Sequence, residues 1–298
     1  MTHPFRFGVV AAFARSGDEW TETARRVESL GYSTLVIPDN LRYTLAPIPA
    51  LAAAAAATRT LRVGTYVLAN DLRNPVMLAK DAATLDVLSG GRLELGLGAG
   101  RPDSAAENRM LGLPFARGGV RVSRLAESLA LLKRLLTGQS ATAPGPYYAA
   151  SEAQVSPAPI QKPHHPILIA GSGRRLLSIA AREADMVAFG IAPTETAEGA
   201  AEKVGWVREA AGAGFERLEL NLNLMAVGDR VPRFVSSQMG LDAAGLAAAG
   251  SVAAVTGSTE EMCETLLRRR ERLGFSYLLV ADELMDALAP VVERLAGR

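Results

Sequence analysis

A chain of 298 residues with a formal net charge of +1 lacks the basic excess that general nucleic-acid and anionic-membrane binders carry. Its 49% hydrophobic and 21% charged residues lie in the ordinary globular range, and no run of about 20 apolar residues offers a membrane span. The lone cysteine, Cys263, excludes an internal disulfide, and without a secretory apolar segment the expected location is cytoplasmic.

The first strand is expected over Phe5–Ala11, followed by a helix over Asp18–Leu30. Ser16 and Glu19 suggest a capping box there, with Trp20, Ala24, Val27 and Leu30 on one face. Thr34–Pro38 reads as the second strand, with Asp39 and Asn40 at its carboxyl end, and Pro47–Thr58 as an alanine-rich helix. Arg62–Ala69 is the third strand, Asn70–Pro75 a polar loop, Met77–Leu88 a helix stopped by Ser89-Gly90-Gly91, and Arg92–Gly98 the fourth strand. Two apolar runs joined by one amphipathic helix form a βαβ unit, which implies parallel strands.

A loop over Ala99–Pro114 precedes a long helix, Val120–Leu136, with Leu125, Leu129, Leu132 and Leu136 in register. Prolines and glycines punctuate 138–166, where Tyr147-Tyr148 open a short hairpin. Ile167–Ala170 is the fifth strand, running through Gly171-Ser172-Gly173-Arg174-Arg175 into a helix that ends at Arg182. Asp185–Phe189, Leu218–Val227 and Phe275–Ala281 complete the strands. Helices are expected over Glu195–Gly212 and Thr259–Leu273, the latter capped by Ser258 and Glu261, and from near Leu284. Eight such units predict an α/β fold, a (β/α)8 TIM barrel forming one domain over 1–298. Irregular insertions follow helix 4 (138–166) and strand 7 (228–257) and are expected to cross the barrel top. An open doubly wound sheet is the alternative.

Ligands of such a barrel bind at the carboxyl ends of the strands, and few histidines could hold a metal there. His164-His165 precede the fifth strand, so no metal site is expected. A glycosidase would need paired carboxylates; Asp39 and Asp282 qualify by position alone. Cys263, on a face with Leu266 and Leu267, reads as a buried small hydrophobe. The fifth strand's turn is sharper: backbone N–H groups and a helix dipole converge at Gly171-Ser172-Gly173, as in phosphate sites, and Arg174 or Arg175 adds charge. A tight turn that needs only glycines is the plainer reading. Ala12, Phe13, Asp39, Asn40, Tyr66, Val67, Asn70, Gly98, Ala99, Gly100 and Arg101 line the same rim, largely small and apolar. That rim suits a flat phosphorylated cofactor of flavin type.

RFGVV, LGYSTLVIPDN, RNPVMLAKDAATLDVLSGGRLELGLGAG and ILIAGSGRRLLSIAAREAD together resemble the bacterial luciferase-like monooxygenases, and within them the actinobacterial branch that uses the deazaflavin coenzyme F420. The resemblance implies an oxidoreductase with the cofactor ring over the strand ends. It implies a non-prolyl cis peptide at Tyr66-Val67 supporting the ring, and cofactor phosphate at Gly171, Ser172, Gly173, Arg174 and Arg175. Gly98–Arg101 would approach the same phosphate and tail. It also implies a homodimer, with helix 47–58 as a candidate surface. Alcohol and sugar-phosphate dehydrogenases of the family carry a histidine where this chain has Asn40, and the sugar-phosphate enzymes a glutamate where it has Arg101. With that base missing, hydride transfer from reduced cofactor to a small-molecule substrate is the expected direction, Asn40, Tyr66 or Asp39 orienting that substrate. Arg42, Arg73 and Arg101 would serve the acidic tail of F420. The alternatives are an FMN-dependent monooxygenase working with a partner reductase, and a non-catalytic cofactor-binding barrel.

Overall fold

Alternating apolar runs become eight parallel strands in the computed structural model, which describes residues 3–298. They are β1 (Arg6–Val10), β2 (Thr34–Ile37), β3 (Arg62–Thr65, resumed at Leu68–Ala69), β4 (Leu93–Gly98), β5 (Ile167–Gly171), β6 (Met186–Phe189), β7 (Glu219–Leu224) and β8 (Phe275–Ala281). Each strand pairs with its neighbours in chain order, β1 also pairs with β8, and β3 with β4, so the sheet closes on itself. Closure leaves no unpaired edge and favours the barrel over the open sheet. The main outer helices are α1 (Gly17–Ser29), α2 (Pro47–Ala57), α3 (Pro75–Leu88), α4 (Gly118–Leu136), α5 (Arg174–Glu183), α6 (Ala197–Ala211), α7 (Thr259–Leu273) and α8 (Met285–Leu295). No helix among the described residues is long and apolar enough to cross a membrane.

Period-two alternation splits each strand between two cores. Outward residues such as Phe7, Leu35, Val63 and Leu95 join Trp20, Leu51, Leu78 and Leu129 of the helices in the larger cluster. Inward residues Val36, Leu168, Met186, Ala188, Tyr277 and Leu279 fill the barrel. Small side chains bring α2 close to its neighbours, and the Trp20 indole N–H donates to the Ala50 carbonyl at 2.7 Å.

The amino end of the barrel is closed by charge. Arg6 Nη1 donates to Glu94 Oε1 at 2.7 Å, Arg62 Nε to the same oxygen at 2.5 Å, and Arg6 Nη2 to Glu219 Oε2 at 2.6 Å. The Arg6 guanidinium also lies 4.2 Å from the centre of the Tyr277 ring. Burial alone would push the Glu94 carboxyl up; the Arg6 and Arg62 charges overcome it and hold it below the ordinary value.

A second acid ties the α2–β3 turn to α1. Glu28 Oε1 accepts from the N–H groups of Arg59 (2.9 Å), Thr60 (2.7 Å) and Leu61 (2.9 Å). Partial burial opposes ionisation, but these backbone donors win and bring the carboxyl down to about 2. A depressed carboxyl contributes stability above its unfolded value of about 4.3, and that stability is lost as pH falls through the folded value. Glu28→Gln is therefore expected to flatten the loss of melting temperature between about pH 4 and pH 2. Melts of both proteins with equal slopes across that window would refute it.

Several local expectations are revised. Ser16 accepts from the Glu19 N–H at 3.1 Å, but the Glu19 carboxylate turns to Arg15, so only half of that capping box forms. The box at Ser258 and Glu261 is complete. The third strand breaks at Tyr66-Val67. Segment 138–166 contains the expected hairpin, Ala141–Pro144 with Ala149–Ala153, whose tip reaches the rim beyond β3, where the Tyr148 hydroxyl accepts from Asn70 Nδ2. Its tip bonds to Glu127 of α4 through the N–H groups of Tyr147 and Tyr148. Its return bonds Ser156 to Lys80 and Ile160 and Gln161 to Asp86, both on α3. It climbs the flank between α3 and α4 because those two helices supply the acceptors and donors it needs. Segment 228–257 does leave the carboxyl end of β7, yet it is not irregular. Short helices Arg233–Met239 and Ala243–Ala248 bury Val235 and Leu246 together, and Arg269 of α7 clamps the segment through the carbonyls of Ser251 and Ala254.

Candidate active site

The turn from β5 into α5 is shaped for an anion. A side chain at Gly171 would strike Leu176, so that glycine serves packing. Gly173 is different: it is the N-cap of α5 in extended backbone, makes no side-chain cap, and a Cβ there would meet nothing within 4 Å. The first-turn N–H groups of α5 thus take no side-chain cap, and the positive end of the helix dipole lies behind them. Helix α4 also starts without a side-chain cap, at Gly118-Gly119. Arg175 joins the two starts, Nη1 donating to the Gly119 carbonyl and Nη2 to Ser123 Oγ, both at 2.8 Å. Arg174 points elsewhere, to Glu209 of α6 at 2.8 Å on the surface. Of the two arginines named from sequence, Arg175 is the one beside the cradle.

The end of β4 is held by a residue that sequence reasoning missed. Arg121, buried in α4, donates through Nε to the Ala99 carbonyl (2.9 Å), through Nη2 to Gly100 (3.3 Å) and through Nη1 to Ala116 (2.7 Å). Its guanidinium stacks 4.2 Å from the Phe115 ring centre. Gly100 turns the chain at φ +79, where a side chain would be strained, and leads to exposed Arg101. Arg121 occupies the leucine face of α4 four residues before Leu125. A charge in that register was the available signal.

Gly96 and Gly98 make room for the end of β3. A Cβ at Gly96 would collide with the Thr65 carbonyl, and one at Gly98 would sit 2.8 Å from a Val67 methyl. The Tyr66-Val67 peptide is cis, as the resemblance implied. Tyr66 reaches into the barrel, its hydroxyl donating to Asn221 Oδ1 at 3.0 Å, while Asn221 Nδ2 donates to the Tyr277 carbonyl at 3.0 Å. Burial pushes the Tyr66 hydroxyl up, so it keeps its proton. Asn221 and Asn223 went unremarked, although LNLNL reads as a strand with asparagines on one face. Three buried acceptors here have no protein partner: Asn223 Oδ1, Asn70 Oδ1 and Asp71 Oδ1. Asn70 Nδ2 donates to the Tyr148 hydroxyl at 2.9 Å. Ala12 is half-buried and Phe13 exposed after β1.

Asp39 and Asn40 do not stand as free catalytic groups. The Asp39 carboxylate is bidentate with Arg73, through the close Nη1 contact and Nη2 at 3.0 Å, and accepts the Ala69 N–H at 3.0 Å. It braces the loop after β3, and the same pair removes Arg73 from service to an acidic tail. Asn40 Oδ1 accepts the N–H groups of Arg42 (2.8 Å) and Tyr43 (3.0 Å), capping its own loop; its amide nitrogen is left for a ligand. At the end of β8, burial raises the Asp282 carboxyl. Among the described residues no cluster of metal ligands forms. His165 lies buried at the amino end, where desolvation brings it down to about 4, and Cys263 is buried as expected.

At its carboxyl end the closed parallel barrel carries small residues after β4 and β5 and an uncapped helix start beside an arginine. The profile of the luciferase-like monooxygenases matches residues 4–231, and the chain belongs to that family. It is 34% identical over 166 residues to an F420-dependent glucose-6-phosphate dehydrogenase of Beutenbergia cavernae, a match covering 53% of this chain and 48% of that one. The chain thus spans about half the length of the curated relatives it matches. Among solved structures, the coenzyme F420 dependent tetrahydromethanopterin reductase of Methanopyrus kandleri superposes with a TM-score of 0.79, covering 98% of this chain and 99% of that one at 17% identity. An F420-dependent secondary alcohol dehydrogenase gives 0.77 over 98% of this chain and 99% of that one at 18% identity. At such identities these likenesses speak for the fold.

Proposed function

We propose that this chain is an oxidoreductase that binds coenzyme F420 and works as a reductase on a small organic acceptor. The observation that carries the cofactor reading is Gly173: its empty N-cap position, with Arg175 beside it, leaves backbone donors for a phosphate. Gly171, Ser172, Gly173 and Arg175 would hold that phosphate, with Gly98, Ala99 and Gly100 fixed nearby by Arg121. Tyr66 and Val67 would support the ring, and Asn70 Oδ1, buried without a partner, would accept a ring N–H. Asn40 Nδ2 would orient the substrate, and Ala12 and Phe13 would border it. When bound, the deazaflavin supplies a hydride donor at its ring.

The direction rests on the end of β2. Oxidising an alcohol needs a base to take the hydroxyl proton, but Asp39 is spent on Arg73 and Ala69, and Asn40 is no base. The named dehydrogenase relatives act on glucose 6-phosphate; the sequence resemblance already set this chain apart from them at Asn40 and Arg101. Reduction asks less of these side chains: Tyr66 stays protonated, and Asp282 keeps its proton to higher pH than an ordinary carboxyl.

Ultrafiltration with oxidised F420 and FMN, read by cofactor absorbance, tests the reading. Micromolar retention of F420 with weak FMN retention is expected. Preference for FMN would make the chain an oxygen-using flavin enzyme needing a reductase, and retention of neither would end the proposal.

A further inference from the structure

The segment 101–117 leaves β4 and docks on the loop after β2, where Glu107 Oε1 accepts the Leu41 N–H at 3.1 Å. Its short helix, Ala105–Met110, carries its pattern inside out. Glu107 is 5% exposed and Asn108 is buried, while Met110 is 59% exposed and Leu111 and Leu113 also face solvent. The buried pair has structural duties: Glu107 holds Leu41, and Asn108 Nδ2 donates to the Pro114 carbonyl at 3.3 Å. The exposed apolar side chains have none. Leu41 and Tyr43 are exposed on the loop that Glu107 grips, and Phe13 on the next loop, which the Leu45 N–H ties in through the Ala12 carbonyl at 2.9 Å. Six large apolar side chains on three interlocked loops thus stand at the barrel mouth.

Apolar area left in water at about 25 cal/mol per Å² is stability forgone, and a contiguous exposed patch marks a binding surface. Two arginines flank it in sequence. Arg42 lies 4.9 Å from the Tyr43 ring centre and Arg109 is exposed; neither forms an ion pair among the described residues. Glucose 6-phosphate, polyhydroxylated and dianionic, offers such a patch little apolar surface. We infer that the substrate is a mainly apolar molecule with one acidic end, its body on Phe13, Leu41, Tyr43, Met110, Leu111 and Leu113 and its acid at Arg42 or Arg109. Phe13 lies three residues beyond β1 and Leu41 four beyond β2, next to the strand ends where the cofactor ring would lie, and this selects a small molecule over a second copy of the chain. The inference deepens the proposed function and rests on it for the word substrate, but the patch itself is testable without turnover.

The probe is cis-parinaric acid, a fluorescent polyene carboxylic acid, titrated into protein loaded with F420, with F420 retention measured separately. Micromolar binding is expected, at least tenfold weaker in the Met110→Ser/Leu111→Ser double variant and at least fivefold weaker in Arg42→Gln/Arg109→Gln. Retention of F420 is expected to be unchanged in the Met110→Ser/Leu111→Ser variant. All four side chains are exposed, so both variants are expected to fold, which a thermal melt checks. Four results would each overturn the inference: no probe binding by protein that retains F420, equal affinity in the variants, displacement by glucose 6-phosphate, or a wild-type dimer that the apolar double variant dissolves. Probe binding with the expected variant pattern by protein that retains no F420 would instead remove the cofactor reading and leave the patch assignment standing.

Discussion

Gly173→Asp is expected to abolish cofactor binding while leaving the fold as stable as before, or slightly more so. The backbone at this N-cap is extended, at φ −87 and ψ 143, so any residue fits it, and a Cβ meets nothing within 4 Å. Aspartate is a preferred N-cap, and exchanging glycine for it is worth a few tenths of a kcal/mol, to which the dipole of α5 adds. The same carboxylate takes the N–H groups that a phosphate would use and sets a negative charge where the phosphate charge would lie. Losing two charge-assisted hydrogen bonds at about 1.5–3 kcal/mol each predicts an affinity at least about 100-fold weaker. Gly173→Ala, which adds no charge and keeps every donor, is expected to lose far less. Retention of F420 and melting temperature, measured on all three proteins, separate the two effects. Wild-type affinity in the aspartate variant would place the phosphate elsewhere.

The barrel was legible because its signals are local. Amphipathic helices ended by Gly31, Gly91 or Gly274 alternate with apolar runs, and parallel strands follow from that alternation. Gly171-Ser172-Gly173 was legible as an anion turn for the same reason: one short stretch carries strand, turn and helix start. What stayed hidden depends on partners distant in sequence. Nothing near Asp39 announces Arg73, and nothing near Asn40 shows that its carbonyl oxygen caps its own loop, so both passed as catalytic candidates. Arg174 and Arg175 are neighbours, yet successive helix positions point about 100° apart, sending one to Glu209 and the other to Gly119. The path of 138–166 was hidden because proline-rich sequence takes its course from whatever it docks on, here Glu127, Lys80 and Asp86. In helix 105–110 the apolar pattern itself misleads, since Met110 faces water and Glu107 does not.

Glu94→Ala is expected to do the reverse of Gly173→Asp, costing stability and sparing the site. Glu94 is nearly inaccessible and is the shared acceptor of Arg6 and Arg62, with the Tyr277 hydroxyl at 3.3 Å from its other oxygen. Its removal takes from Arg62 its counter-charge, leaving it only the Leu93 carbonyl and Gln161, and from Arg6 one of its two acids, Glu219 remaining. Breaking a buried pair by removing one partner costs about 3–5 kcal/mol, because the remaining charge stays desolvated. At roughly 2–4 °C per kcal/mol for a chain somewhat shorter than this one, melting should fall by about 5–15 °C. The network lies at the amino end of the strands and the cradle at the carboxyl end, and packed barrel layers separate them. The folded protein is therefore expected to bind cofactor as tightly as wild type. Acid should expose the same dependence: Glu94 is held below the ordinary carboxylate value, so its contribution is present above the unfolded value and disappears as pH drops through the folded one. The gap in melting temperature between wild type and variant should narrow on acidification. A gap that persisted at low pH would mean that lost packing around Glu94, rather than lost charge, had been measured; a cofactor affinity that fell with stability would mean that the two ends of the barrel are coupled.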